Sequence, residues 1–319
     1  MSKNFGESTT ASATYAGFSE KNLEEVTQGS IVVFGAPADS TLPRRSGSSN
    51  GPKAIRQATM NALTSYFNSP SKTVVSLDTG KTRRFKSEVI GIDLGDLADC
   101  TEVTTETLKQ IDQMTAGVHD QGGLPVLLGG DGRILEGMTT GLQSSSSELG
   151  LLVISNRLDI PKANGLTSKT LSSLLSISPK SDNYPILTIG TNGIQPHENW
   201  KEIKKVHGNI ISAEDIHEQG EEIALNAIQQ FSLKNNQILC AIDAGVLDTG
   251  FAAGTPGLNV GGLTPLQLIE ILSKANIASK LVGICVSNVA PLLDARGHTQ
   301  YALAEALLAV MGERLFEEI

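Results

Sequence analysis

Short apolar runs recur along this chain, each closed by Gly, Asp, Asn or Ser, and helical patterns fill the intervals between them. The runs are Ile31–Phe34, Val89–Ile92, Pro125–Leu128, Leu151–Ile154, Pro185–Ile189, Asn209–Ile211, Ile238–Ile242 and Lys280–Val286. Each reads as a buried strand. Asn50-Gly51-Pro52 is a helix-start signal, followed by Ile55, Ala58 and Leu63 as a buried stripe. Thr104 or Thr105 caps a helix whose apolar positions Leu108, Ile111, Met114 and Val118 recur at helical spacing, and Gly122-Gly123 stops it. Thr264-Pro265 opens another helix, and a final amphipathic helix runs from Thr299 through Leu303, Leu307 and Met311. Eight strands alternating with helices imply a mostly parallel sheet covered on both faces, in one domain with no internal repeat. An eight-fold β/α barrel fits the same count and stands as the alternative.

Composition narrows this picture only modestly. At 319 residues, 39% hydrophobic and 18% charged, with 32 Gly, the chain suits a loop-rich globule that needs no disulfide staples. A net charge of -9 argues against a nucleic-acid surface. No apolar run reaches the length of a membrane span. Cys100, Cys240 and Cys285 lack metal-like spacing; the last two lie in apolar runs, so buried thiols and a reducing, cytoplasmic setting are expected. Cys100 is the thiol that could be exposed and form an intersubunit disulfide. Residues 1–28 are polar and Ser/Thr-rich without a signal-peptide core, and read as a poorly ordered arm before a domain at 29–319.

Candidate chemistry sits where strands end. Ala241-Ile242-Asp243-Ala244-Gly245-Val246-Leu247-Asp248, with its Gly-rich tail to Thr264, places carboxylates just past a buried strand, where open α/β sheets hold ligands. Other strands end in Asp93-Leu-Gly-Asp96, Gly129-Gly130-Asp131-Gly132-Arg133, Ser155-Asn156-Arg157-Leu158-Asp159 and Ser287-Asn288-Val289. On residue type alone Asp159 and Asp243 read as helix caps or loop ties, and Asp93, Asp96, Asp131 and Asp248 as loop supports, since irregular backbone needs partners. His119, His197, His207, His217 and His298 form no ligand cluster in sequence, and Trp200 reads as packing.

Taken in order, these motifs resemble the ureohydrolases: arginase, agmatinase, formiminoglutamase and their relatives. The likeness runs from Ile31 to the C-terminus. It covers Gly35-Ala-Pro-Ala-Asp39-Ser40 with Asn50 to Arg56, Asp93 to Asp96, Leu128-Gly-Gly-Asp131, and Asp243 to Asp248 with Phe251-Ala-Ala-Gly-Thr and Gly261 to Thr264. Pro291 and Asp294, with Gly297 to Thr299, complete it. The resemblance implies a three-layer α/β/α fold with an eight-stranded, mostly parallel sheet, and assembly into trimers or hexamers. Active members use two Mn²⁺ ions to make hydroxide from a bridging water and hydrolyse a guanidinium or amidine group, chemistry that carboxylate and imidazole ligands suit.

Position by position, that chemistry does not carry over. The six ligand positions fall on Gly132, Ser155, Arg157, Asp159, Asp243 and Gly245, and only the two Asp match. The acid/base His position aligns with Asn164 and the substrate-binding Glu position with Asn288, leaving no catalytic residue assigned. The expectation is a vestigial site without manganese. Arg157, helped by Arg133, would neutralise Asp159 and Asp243 as a salt-bridged plug, and this set would favour an anionic ligand over a guanidinium. Two functions follow. One is a pseudoenzyme with a binding, regulatory or assembly role, as a homo-oligomer or with an active paralogue, holding a small molecule but neither nucleic acid nor membrane. The other is an active hydrolase of a guanidino or amidino substrate through a single, different or rearranged metal site.

Overall fold

The computed structural model describes residues 13–39, 47–62, 71–77, 80–143, 149–158, 185–194 and 209–319. Expectations placed on Leu63, Asp159, Asn164, His197, Trp200 and His207, and on the start of the N-terminal arm, lie outside these residues. The strands are β1 (Ser19–Glu20), β2 (Ile31–Ala36), β3 (Thr73–Val75), β4 (Thr82–Phe85), β5 (Gly91–Asp96), β6 (Leu124–Gly129), β7 (Leu149–Ile154), β8 (Ile186–Thr191), β9 (Asn209–Ser212), β10 (Gln237–Asp243), β11 (Leu281–Ser287) and β12 (Phe316–Glu318). The helices are α1 (Gly51–Ala62), α2 (Thr105–Asp120), α3 (Ile134–Gln143), α4 (Ala213–Gln219), α5 (Glu222–Lys234), α6 (Pro265–Lys274) and α7 (His298–Leu315).

Nine strands pair in the order β1-β5-β2-β6-β11-β10-β7-β8-β9, every pair parallel. All eight strands read from the sequence are present. The sheet is open, with β1 and β9 at its edges, so the barrel alternative is overturned. Every residue of β2, β6 and β7 is buried, because helices cover both faces. Alternation along each strand sorts its side chains: Val33, Leu152 and Ile154 pack with Ile55 of α1, Leu268 of α6 and Leu303 of α7, whereas Val32, Leu151 and Val153 pack with Ile111 of α2 and Met138 of α3. That is the three-layer α/β/α architecture. Helix starts follow their local code: Thr104 accepts the Thr107 N–H, and Thr264 and Gln267 form a capping box around Pro265.

The polar arm expected over 1–28 belongs, from residue 13 onward, to the domain. Tyr15, Ala16, Phe18 and Val26 are buried, the Tyr15 N–H donates to Asp93 at 2.7 Å, and Ser19–Glu20 adds the ninth strand beside β5. A Ser/Thr-rich average hid this short aromatic stretch. Phe18 lies where Gly91 has no side chain, and a Cβ there would overlap its ring. A small antiparallel sheet, β12-β4-β3, was also not foreseen; its strands are too short and polar to announce themselves. Cys100, expected as the exposed thiol, is buried like Cys240 and Cys285. No helix among the described residues is long and apolar enough to cross a membrane.

Candidate functional site

After β6 the chain crosses to β7, and β11 and β10 later fill the gap between them, giving the local order β6-β11-β10-β7. Such a switch of direction opens a crevice at the carboxyl ends of a parallel sheet. Here those ends bring together Asp131 after β6, Ser287-Asn288 closing β11, Asp243 closing β10, and Ser155 after β7. Buried hydrogen bonds hold the ends in place. The Asn288 N–H donates to the Gly130 carbonyl at 2.7 Å, and the Ser155 N–H to the Ile189 carbonyl at 3.0 Å. Asn288 adopts φ 61, a left-handed conformation that Asn tolerates better than most residues. Gly130 cannot be replaced, because a Cβ would strike the Ala38 backbone.

Asp243 is the centre of this group. It is buried, and its Oδ1 accepts the Gly245 N–H at 2.8 Å while its Oδ2 accepts the Ser155 hydroxyl at 3.3 Å. Burial pushes its pKa up, and the bonds from Gly245, Asn288 and Ser155, with the charge of Arg157, offset that only in part. Asp131 is raised for the same first reason: burial outweighs the N–H and charge of Arg133, and the neighbouring charges of Asp39 and Asp243 add to the rise. Asp131 thus lies in the negative field of both Asp39 and Asp243. Asp39 Oδ2 accepts the N–H groups of Gly47 and Ser48 at 2.5 and 3.0 Å, tying the first loop to the start of α1.

The structure divides the basic residues read from the sequence. Arg157 is exposed, its guanidinium lies against Gly257, where a Cβ would overlap it, and its N–H donates to Ser155 Oγ at 3.2 Å. Among the described residues it makes no ion pair within 4.0 Å, with Asp243 or any other carboxylate. The salt-bridged plug is thus not what holds Asp243; Ser155, Gly245 and Asn288 do so instead, and Arg157 acts on it only through its field. The backbone N–H of Arg133 donates to Asp131 Oδ1 at 2.9 Å, but its side chain lines a groove between α2 and α3.

The other acidic residues support the frame. Asp248 accepts the Gly250 and Gly261 N–H groups at 2.7 and 2.6 Å, closing the loop after β10 as expected. Asn259 and Asn192 brace that loop, with Asn259 Nδ2 donating to the Gly245 carbonyl at 3.0 Å and Asn192 Nδ2 to Asn259 Oδ1 at 2.9 Å. Asp294 caps α7 through four N–H and O–H donors of Arg296, Gly297 and Thr299. Burial works against its charge, but the hydrogen bonds prevail and hold its pKa below the usual value. Asp93 and Asp96 do more than support loops, because both hold Arg56. That residue is 1% exposed; it makes two 2.9 Å bonds to Asp93 and one of 2.5 Å to Asp96. Sequence reading gave Arg56 no role, although a cation facing an Asp-x-x-Asp strand end was the available signal. Of the described His, His217 lies 3.1 Å from the Gly262 carbonyl and ties α4 to the signature loop.

Of the positions aligned with metal ligands, Gly132 and Gly245 offer no side-chain donor, Arg157 is a cation, Ser155 a hydroxyl and Asp243 a carboxylate already engaged on both oxygens. Among the described residues no three His, Cys, Asp or Glu side chains are grouped so as to hold a metal ion.

The chain matches the Arginase family over residues 29–312. It is 26% identical over 278 residues to an agmatinase of Bacillus anthracis, covering 86% of this chain and 88% of that relative. It is 22% identical over 281 residues to a formimidoylglutamase of Halobacterium salinarum, covering 86% and 85%. Among solved structures, formimidoylglutamase from Bacillus subtilis superposes with a TM-score of 0.76 at 22% identity, covering 99% of this chain and 96% of that one. Proclavaminate amidino hydrolase from Streptomyces clavuligerus does so with a TM-score of 0.75 at 18% identity, covering 97% of each. These two likenesses establish the arginase-type fold.

Proposed function

The chain belongs to the arginase family, and from that membership we propose that it is a ureohydrolase-fold protein that has lost the dinuclear manganese site and the hydrolysis of guanidino or amidino groups. It serves as a non-catalytic binding and assembly subunit, as a homo-oligomer or beside an active paralogue. One observation carries this reading. At the switch point, where the family's chemistry would reside, Asp243 is satisfied by a backbone N–H, Ser155 and Asn288, with glycines at 132 and 245 and a cation at 157. This set does not fit a pair of Mn²⁺ ions. Glycine donates nothing, a guanidinium repels a dication, and Asp243, one of the two carboxylates kept, already accepts hydrogen bonds on both oxygens. No catalytic step through a metal is therefore derived. Function follows the site rather than the scaffold.

A second reading has one observation in its favour. Asp131 feels the negative charges of both Asp39 and Asp243, and a single bound cation would relieve that repulsion. Metal content separates the two. The purified protein is incubated with excess Mn²⁺, desalted and measured by mass spectrometry, alongside turnover of arginine, agmatine, formiminoglutamate and guanidine. Near-zero metal and no turnover are expected; stoichiometric metal with turnover overturns the proposal and favours the single-ion hydrolase. The combined variant Gly132→His, Ser155→Asp, Arg157→His, Gly245→Asp is expected to regain Mn²⁺ binding. A Cβ at 245 would lie 3.1 Å from both Asn156 Oδ1 and Asp243 Oδ1, so Asn156 must yield by a few tenths of an ångström. A folded variant that takes up no metal would show that the ligand positions are misassigned.

A further inference from the structure

Gly245 leaves a gap in the crevice, and three oxygens border it. From the point that a Cβ would occupy there, Asn156 Oδ1 and Asp243 Oδ1 each lie at 3.1 Å and Thr255 Oγ1 at 3.6 Å. The three residues come from separate places in the fold: Asn156 follows β7, Asp243 closes β10, and Thr255 belongs to the loop after it. Their backbone is fixed by hydrogen bonds, with the Asn192 N–H on the Asn156 carbonyl at 3.0 Å and the Thr255 N–H on the Ala253 carbonyl at 2.9 Å. All three are buried, Asn156 at 7% exposure, Asp243 at 8% and Thr255 at 1%. Neither the Asn156 amide nor the Thr255 hydroxyl has a hydrogen-bond partner among the described residues. Two buried polar side chains therefore face one gap beside a buried carboxylate, and such groups need a partner from outside the chain. Charge selects that partner. Among the described residues Asp243 makes no ion pair within 4.0 Å. Arg157 reaches it only through its field, and Asp131 places a second negative charge nearby. A water in the gap would satisfy the hydrogen bonds but leave the carboxylate charge uncompensated.

We propose that this gap binds one monovalent cation, Na⁺, K⁺ or ammonium, held by Asn156 Oδ1, Asp243 Oδ1 and Thr255 Oγ1. A hard cation suits an all-oxygen set, and a single charge matches a set with one carboxylate. The inference rests on the loss of the manganese pair and gives the space a different occupant: glycine at 245 both opens the gap and removes the negative charge that a dication would need. The bound ion is structural, since it ties the end of β7 to the end of β10 and to the loop that follows.

The test is thermal unfolding of the full-length protein at constant ionic strength, with the bulky tetramethylammonium chloride replaced stepwise by NaCl, KCl or ammonium chloride. At least one of the small cations is expected to raise Tm saturably by about 2 °C or more. Gly245→Ala, whose Cβ enters the gap, and Thr255→Val, which removes one oxygen, are each expected to lose the rise, judged against the same variant in tetramethylammonium. Asp243→Asn is expected to lose it as well, so its stability relative to the wild type is greatest in tetramethylammonium. Arg157→Gln is expected to saturate at a lower cation concentration, because a competing positive charge is gone. No difference between the small cations and tetramethylammonium overturns the proposal and leaves an ordered water only. A rise that survives in both Gly245→Ala and Thr255→Val also overturns it, by placing the ion elsewhere. Neither result bears on the loss of manganese, which is overturned instead by stoichiometric Mn²⁺ in the desalted protein.

Discussion

Replacing Arg56 by Met would remove the pin beneath the first strand ends. Arg56 is 1% exposed and reaches two carboxylates: Asp93, also 1% exposed, and Asp96, with a side chain 22% exposed. Burial disfavours its charge, yet bonds and attraction from Asp93 and Asp96 outweigh this and raise its pKa, so it stays charged. Met fills the volume but leaves Asp93 as a buried anion with only the Tyr15 and Gly95 N–H groups, at 2.7 and 3.0 Å. Asp96 can rehydrate; Asp93 cannot. Removing one partner of a buried pair costs about 3–5 kcal/mol, and the Asp93 half of the network places Arg56→Met in that range. Urea unfolding followed by circular dichroism would measure it as a lower midpoint at unchanged slope. The double variant Arg56→Met/Asp93→Asn should recover at least about 1–2 kcal/mol relative to the sum of the single changes, because it leaves no orphan charge. A loss under about 1 kcal/mol for Arg56→Met, or strict additivity in the double variant, would refute the reasoning. The consequence reaches the crevice, since α1 rests through Gly51 on the Gly129 and Val289 carbonyls.

Further outcomes follow from the same structure. Asp243→Asn should stabilise the protein by roughly 1 kcal/mol above neutral pH, because it removes a buried charge while an amide oxygen still accepts the Gly245 N–H. Burial raises the Asp243 pKa, so the wild-type protein is most stable, as far as this group is concerned, below the unfolded carboxylate value and loses that stability as pH rises through the folded value. The advantage of Asn should therefore shrink on acidification, and a constant advantage across pH 4–8 in thermal unfolding would count against it. Asp294→Ala should cost about 1–2 kcal/mol by freeing the donors at the start of α7. As the Asp294 pKa is lowered, that contribution is present above the unfolded value and lost as pH falls through the folded one, which the same unfolding series would show. The thiols of Cys100, Cys240 and Cys285 are buried, and burial pushes Cys100 and Cys240 up to about 12. An aromatic disulfide reagent should label none in the native protein and all three after denaturation; rapid native labelling of Cys100 would contradict its burial.

Several features needed nothing beyond the sequence. Seven of the eight strands were legible because each is an apolar run buried on both faces, so its composition alone reports its environment; the edge strand β9 is only partly buried and showed as no more than Asn209-Ile-Ile211. Helix starts at Thr104 and Thr264 were legible because capping is a contact between residues three apart. Glycines at 132 and 245, where the family resemblance would place metal ligands, were equally plain, since a missing side chain is missing in any fold. What the tertiary structure decided concerns partners distant in sequence. That Asp93 and Asp96 hold Arg56, that Asp243 is tied by Ser155 and Asn288, and that Tyr15 belongs to the core all depend on elements tens of residues apart meeting in the sheet. Most telling are the two arginines. Arg133 and Arg157 both follow strand ends and looked equivalent as letters, but the Arg157 guanidinium lies against Gly257 of the loop after β10, while Arg133 lines a groove between α2 and α3. Local composition carries the identity of an element, but the neighbours that a charged side chain meets on leaving it come from segments distant in sequence, which only the packed fold brings alongside.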